Sequence, residues 1–386
     1  MSVSKKKIAL VFGTRPEAIK MAPVWLELLK NRKYFKPQIV VTGQHKEMLD
    51  QVLKRFKIKA DQDLKVMLKD QSLMQLSNRL FGKLEKSLSK LAPDLVLVQG
   101  DTTSTFLASL VAFTLGIPVG HIEAGLRTGD AADPYPEEMN RTLTTNLAGL
   151  HFAPTEQAYK IVKKEKKGAK HLYLTGNTVI DALRKVLSKN GHKQVKSKQR
   201  PYILVTAHRR ESFGGPLQNI CVALKALAKK NPQFDLVYPV HLNPNVQKTA
   251  RDFLKGINNV KLIPPLEYLE FSRLMKGAYL ILTDSGGIQE EAPVIGVPVL
   301  VLREKTERPE AIESGAVKLI GTNSKRIISE TQKLLDNQKY YKQMAEAISP
   351  YGDGKAAQRI VQALKYYFGF SNKKPRAFRP KKVKIR

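Results

Sequence analysis

Polar and apolar positions along the chain follow two alternating rhythms. Short runs dense in Val, Ile and Leu recur, separated by longer stretches in which apolar residues return every three or four positions, the mark of strands alternating with helices. The runs KIALVF (7–12), PQIVVTG (37–43), LVLVQG (95–100), PVGHIE (118–123) and HLYLTG (171–176) predict one series of strands. YILVTAH (202–208), DLVYPVH (235–241), VKLIPP (260–265), YLILTDS (279–285) and VPVLVLR (297–303) predict a second. Strands apolar on both faces and joined by helical crossovers form parallel sheets with helices on either side. Between the series, VLSKNGHKQVKSKQRP (186–201) lacks an apolar period and is expected to be a linker. The expected organisation is a first α/β domain over 1–176, a second over 177–355, a terminal helix over 356–370 packing back on the first, and a tail over 371–386. The helix follows from GKAAQRIVQALKYYF (354–368), which puts Ile360, Val361, Leu364 and Tyr367 on one face.

Composition narrows the class. At 386 residues, with apolar residues at 42%, the chain is long enough for two cores and too apolar for disorder. The uncharged stretch Thr102–Ile122 is diluted by Thr and Ser and broken at Gly116-Ile117-Pro118, which predicts a buried helix followed by a strand and no membrane span. The apolar run at the N-terminus is interrupted by Arg15 and reads as a first strand, not a signal peptide. A lone cysteine, Cys221, suits a reducing compartment, and the expected location is the cytoplasm. Lys and Arg number 66 against 34 Asp and Glu, a net charge of +32. Part of this excess sits in SNKKPRAFRPKKVKIR (371–386), a segment with basic and no acidic side chains, expected to be a solvated tail with weak attraction to anionic surfaces.

Ligands of open parallel sheets bind outside the carboxyl ends of the strands, so the residues that follow each predicted strand carry the chemistry. Those residues are GTRPE, QHKE, DTTS, EAGLRT, AHRRES, HLNPN and DSGGIQEE in chain order. In GTRPEAIK, Gly13 suits a tight turn, Thr14 a cap and Pro16 the first helical position, leaving backbone N–H groups and Arg15 for an anion. The same logic applies to DSGGIQEE, where Ser285, Gly286 and Gly287 open a helix and Glu290 or Glu291 could accept from ribose hydroxyls. Neither loop matches the dinucleotide or P-loop glycine patterns, so nothing calls for a nicotinamide or ATP. Asp101, Glu123 and Glu137 are carboxylates placed for proton transfer, and His208 beside Arg209 and Arg210 is placed to stabilise a diphosphate. His45 and His241 are weaker candidates, a lone histidine being more often a satisfied structural residue, and no spacing suits a metal site.

Taken together, GTRPEAIKMAP (13–23), QGDTTST (99–105), HIEAGLRT (121–128), PEEMNR (136–141), TGNTVID (175–181), TAHRRESFG (206–214), YPVHLNP (238–244), TDSGGIQEEAP (283–293) and TERPE (306–310) resemble the bacterial non-hydrolysing UDP-N-acetylglucosamine 2-epimerases, over residues 6 to 368. The resemblance implies a glycosyltransferase-B-like fold, with two Rossmann-like domains facing a cleft, in a homodimer that uses no cofactor and no metal. It implies that Asp101, Glu123 and Glu137 are the acids and bases and that His208 and Arg15 stabilise the diphosphate. Ser285, Gly286 and Gly287 resemble the phosphate loop, Glu291 the ribose acceptor, Phe271 the ring on uracil, and Lys20 and Arg308 polar groups around the substrate. Gln44, His45, Arg209 and His241 fall in segments associated with an activating second UDP-sugar. Readings left open are a hydrolysing epimerase, a relative acting on a UDP-sugar uronic acid, and a non-catalytic anion or nucleic-acid binder on the same scaffold.

Overall fold

A computed structural model describes residues 4–43, 46–68, 70–188, 200–209 and 213–380. Contacts divide the chain into a first unit, Met1–Ala182 with Tyr351–Arg379, and a second, Leu183–Pro350. The first contains β1 (Lys6–Phe12), α1 (Arg15–Lys30), β2 (Phe35–Val41), α2 (Lys46–Phe56), β3 (Gln62–Asp63), α3 (Leu73–Leu91) and β4 (Leu95–Gln99). It continues through α4 (Thr103–Thr114), β5 (Val119–Ile122), α5 (Glu137–Leu147), β6 (Leu150–Ala153), α6 (Glu156–Glu165), β7 (His171–Leu174) and the start of α7 (Thr178–Ser188). The second contains β8 (Tyr202–Thr206), α8 (Gly215–Lys230), β9 (Asp235–Pro239), α9 (Pro244–Leu254), β10 (Val260–Ile263), α10 (Tyr268–Gly277), β11 (Leu280–Thr283) and α11 (Gly286–Glu291). After these come β12 (Val299–Val301), α12 (Pro309–Glu313), β13 (Val317–Leu319), α13 (Ser324–Asp336) and α14 (Gln338–Ala345). The chain then returns to the first unit as α15 (Ala356–Tyr367).

Both sheets are parallel throughout, in the order β3-β2-β1-β4-β5-β6-β7 and β10-β9-β8-β11-β12-β13. These are two Rossmann-like units, the pair expected of a glycosyltransferase-B-like chain. Each core follows from strand alternation meeting a helical stripe. In the first unit Ala9, Val11, Val96 and Val98 meet Leu76, Leu80, Leu84 and Leu88, a repeat of four along α3. In the second, Ile203, Val205, Leu280 and Leu282 meet Leu217, Ile220, Cys221, Leu224 and Leu227 of α8. Emptying one such leucine site to alanine typically costs about 2–5 kcal/mol. Burial also pushes the Cys221 thiol up to about 12, so it packs as a small apolar group.

The ten predicted strands all occur, within a few residues at their ends. β3, β6 and β13, each two to four residues long, are not among the predicted strands. β2 begins ahead of Pro37; β3 pairs only with Val40 and Val41, so at Pro37 the strand is an edge, where a missing N–H is tolerated. The uncharged stretch is α4 followed by β5, and among the described residues no helix is long and apolar enough to cross a membrane. The start of the expected linker, 186–188, is the last turn of α7, and residues 189–199 lie outside the described ones. The unit boundary falls inside α7, and residues 351–355 and 371–379 belong with the first unit rather than with the second domain or a separate tail. Two contacts anchor that return. Asp181 of α7 accepts the first N–H groups of α15, from Ala356 (3.1 Å) and Ala357 (2.9 Å), and Ile360, Val361 and Leu364 are buried.

Candidate active site

In each sheet the crossovers leave in opposite directions from one strand pair, β1 and β4 in the first unit and β8 and β11 in the second. Such switch points open a crevice at the carboxyl ends of the strands. The loops they present are 13–17 and 100–104 in the first unit, and 207–209 and 284–287 in the second.

The first loop does not leave its backbone open to an anion as expected. The Glu17 carboxylate reaches back to the N–H groups of Gly13 (2.9 Å) and Thr14 (2.7 Å), completing a capping box over Thr14. Its other oxygen accepts the hydroxyls of Thr102 (2.7 Å) and Thr105 (2.9 Å), so one buried carboxylate ties the loop after β1 to the loop after β4. Arg15 is half-buried as the first residue of α1, with Pro16 at the second position rather than the first.

Glu123 follows β5 with φ +67, a left-handed conformation that costs a non-glycine residue about 1–3 kcal/mol. Its backbone N–H donates to the Phe152 carbonyl at 3.0 Å, and its side chain is held from two sides. The Lys20 ammonium meets Glu123 Oε2, and Asn177 Nδ2 donates to the same oxygen at 2.9 Å. Lys20 and Glu123 are both buried. Asp101 lies at the end of β4, where Arg141 donates to its Oδ2 at 2.6 Å and Asn140 to its backbone carbonyl at 3.0 Å. Glu137, half-buried, is the first residue of α5, one turn ahead of Arg141. Its neighbour Glu138 is buried against Arg141 (3.3 Å) and receives the N–H groups of Thr128 and Gly129. Beneath these groups His121 Nε2 donates to the carbonyl of Gly100 (2.8 Å), the residue before Asp101. Burial pulls its imidazole down to about 3 and that of His151, its partner on β6, to about 4, so both are neutral structural residues.

In the second unit the wholly buried Asp284 organises the loop after β8. Its Oδ2 accepts the N–H groups of His208 (2.6 Å) and Arg209 (2.8 Å), and its Oδ1 lies 3.4 Å from His208 Nδ1. The His208 ring stacks on His241 with centres 5.3 Å apart and planes 8° from parallel. Burial first, then the neighbouring His208, pulls the His241 imidazole below its ordinary value, with Asp284 opposing. Ser285 stands at the N-cap position of α11, and Arg308 covers Gly286: a Cβ there would stand 2.7 Å from the guanidinium carbon. Arg308 donates to Glu290 at 2.7 Å and meets Glu307, which Arg303 (3.0 Å) and Arg209 (3.7 Å) also face. Burial works against the charge of Glu307, yet Arg308, Arg209 and Arg303 together hold its carboxyl well below the usual carboxylate range. Glu290 is therefore engaged with Arg308, while Glu291 accepts the Tyr268 hydroxyl at 2.8 Å. Gly287 and Phe271 of α10 are half-buried.

Sequence reading missed four residues that hold the others in place: Glu17, Arg141, Asn177 and Asp284. Glu17 was legible as the acidic end of a capping box begun by Thr14. For the other three no local signal exists, because each acts on a residue far away in the chain. Lys20, expected among the polar groups around the substrate, pairs with Glu123. Gln44 and His45 lie outside the described residues, as does Arg210, and among the described residues no cluster of His, Cys, Asp and Glu could hold a metal ion.

A family model described as UDP-N-acetylglucosamine 2-epimerase matches residues 27–365. The UDP-N-acetylglucosamine 2-epimerase of Salmonella typhimurium is 51% identical over 372 residues, 94% of this chain and 99% of that protein. Among solved structures, a UDP-GlcNAc 2-epimerase from Neisseria meningitidis bound to UDP-GlcNAc superposes with a TM-score of 0.89 at 49% identity, covering 93% of this chain and 99% of that one. One from Methanocaldococcus jannaschii in complex with UDP-GlcNAc and UDP gives 0.81 at 34% identity, with 93% and 99% covered.

Proposed function

The chain belongs to the UDP-N-acetylglucosamine 2-epimerase family, and from that premise we propose that it interconverts UDP-N-acetylglucosamine and UDP-N-acetylmannosamine without hydrolysis. The sugar C2 has no adjacent carbonyl, so its proton is too weakly acidic to be exchanged directly. In the proposed route a carboxylate takes the C2 proton, the C–H electron pair becomes the C1–C2 double bond, and the C1–O bond breaks with its pair leaving on UDP. The 2-acetamidoglucal then receives a proton on the opposite face of C2 while a UDP oxygen attacks C1. UDP is retained throughout, and the product supplies precursor for cell-surface polysaccharide.

Asp101, Glu123 and Glu137 carry the proton transfers, and Lys20 and Asn177 orient Glu123. His208 and Arg15 stabilise the departing diphosphate, while Ser285, Gly286, Gly287 and Arg308 form the phosphate loop, Glu291 takes the ribose and Phe271 the uracil. The observation that carries the reading is Glu123, held in a left-handed conformation at a strand end and gripped by an ammonium and an amide. Strain of that kind persists where surrounding structure enforces it, as at catalytic sites. A second UDP-N-acetylglucosamine, at Gln44, His45, Arg209 and His241, would activate the enzyme, which acts as a homodimer. The relative solved with both UDP-GlcNAc and UDP supports a scaffold that takes two nucleotides.

Proton NMR of UDP-N-acetylglucosamine incubated with the protein in D2O tests the route. Deuterium should enter C2 of both epimers with no added cofactor. Retention of the original C2 proton during turnover would exclude elimination, and accumulation of free N-acetylmannosamine with UDP would instead make the enzyme hydrolysing.

A further inference from the structure

The basic composition of the C-terminal segment conceals a structural role. Leaving α15, residues 371–379 double back along it: Gln362 Nε2 donates to the Lys373 carbonyl (2.7 Å) and to Ser371 Oγ (3.0 Å), and the Lys374 ammonium lies 5.6 Å from the centre of the Tyr366 ring. Most side chains of this stretch are exposed, but Phe378 is 2% exposed. Its N–H donates at 2.8 Å to the carbonyl of Leu174, the last residue of β7, which is an edge strand. Its ring packs on Gly176, 3.5 Å from where a Cβ there would stand, an ordinary contact distance; it is the backbone of this turn, with φ +82 at Gly176, that favours glycine. The Arg359 guanidinium covers the ring at 5.5 Å, is paired with Asp353 through two 2.8 Å bonds, and donates to the Thr175 carbonyl at 3.0 Å.

The turn that Phe378 covers leads directly to the site. Asn177, next in sequence to Gly176, is the residue whose amide grips Glu123. We infer that residues 371–379 form a strap that positions Glu123, with Phe378 as a positioning residue acting through the Thr175–Asn177 turn. The strap lies beyond the span matched by the family model, which ends at residue 365. A turn packed against an aromatic ring and bonded at Thr175 by the arginine that covers that ring cannot shift without opening the packing. With the ring removed, water reaches the turn and the Asn177 amide gains freedom. Displacements of about 1 Å at a reacting group can cost about 100-fold in rate. The basic side chains stay outside this contact, so charge and positioning are separate properties of one segment.

This inference rests on the proposed role of Glu123, and the test separates the two. Phe378→Ala and Phe378→Leu are made in the full chain and compared with wild type in epimerisation kinetics, thermal midpoint and amide hydrogen exchange over residues 175–179. Phe378→Ala should lower kcat by about tenfold to a hundredfold with KM changed less than about twofold, since an interaction felt only at the reacting centre moves kcat rather than binding. Phe378→Leu should recover most of that loss, and exchange at Asn177 and Val179 should quicken in the alanine variant alone. Unchanged kcat in Phe378→Ala overturns the inference, as does a loss of kcat that only tracks the fraction of protein unfolded. If wild type shows no epimerase activity, the proposed function fails. The strap is then decided by exchange alone: acceleration at 175–179 sustains it and unchanged exchange removes it.

Discussion

The two switch points share a topology and differ in how they hold charge. In the first unit the carboxylates that follow β4 and β5 are met one by one by cations and amides, Asp101 by Arg141 and Glu123 by Lys20 and Asn177. At β8 and β11 the buried acids face backbone and arginine: Asp284 takes two N–H groups, and Glu290 and Glu307 lock Arg308 over Gly286. The first arrangement keeps individual carboxylates fixed in orientation, which suits proton transfer. The second fixes a rigid, donor-rich loop, which suits a diphosphate. One fold thus supports two tasks because strand ends are places, not chemistries.

This division predicts that substitutions in the first unit act on proton transfer and those in the second on the diphosphate, in its binding or in its departure. The largest effect should come from Asp101→Asn, Glu123→Gln or Glu137→Gln, each lowering kcat by about two to four orders of magnitude while UDP affinity by calorimetry stays near wild type. Near-full activity in all three folded variants would break the comparison. Next, His208→Ala should reduce kcat about 100-fold or more through loss of leaving-group stabilisation. If the loss appeared only in KM, His208 would belong to binding and the second unit would carry no part of the chemistry.

A smaller effect sharpens the picture of the second unit. Gly286→Ala places a methyl group into the Arg308 guanidinium, so Arg308 must move. UDP affinity should weaken by about tenfold, equivalent to about 1.4 kcal/mol, while deuterium still enters C2 at saturating substrate. Unaltered UDP binding would show that Arg308 is not part of the phosphate loop.

A last effect concerns stability rather than turnover, in the first unit, at Asp181 beneath α15. Burial raises its carboxyl from 3.8 to about 7, against the two N–H groups it accepts. The folded protein therefore keeps a proton there that the unfolded chain has already lost. The stability from this group is full below its unfolded value, near 3.8, and is lost as pH rises through about 7. The slope contributed is at most about 1.4 kcal/mol per pH unit. The thermal midpoint of wild type minus that of Asp181→Asn should fall between pH 4.5 and 7 and then level. A difference independent of pH would place the Asp181 carboxyl in the ordinary range.

Much of this was open to reading from one dimension. Ten strands, the two-unit α/β plan, the terminal helix and the place of Asp101 and Glu123 just past strands follow from local periodicity and strand ends, because burial on both faces of a parallel sheet leaves a direct mark on composition; Glu137 instead opens α5. The loop Gly13–Glu17 shows the limit within a single segment. Its glycine, proline and arginine suggested an open anion site, yet the pattern also held a capping box, and in the fold Glu17 occupies the N–H groups and bonds Thr102 and Thr105.

The sequence by itself determined which residue types stand at the ends of which strands, since alternation, glycine placement and charge are properties of neighbours. Only tertiary structure decided what each of those groups touches. Lys20 and Glu123 are separated by 103 positions and Arg141 and Asp101 by 40, distances over which no periodicity survives. The C-terminal segment is the clearest case: its charge predicted a solvated tail, but one aromatic side chain is buried against Gly176. Local pattern governs which faces are apolar, whereas partner choice depends on how the chain closes upon itself, and a single buried ring outweighs a run of charges that can remain in water while it packs.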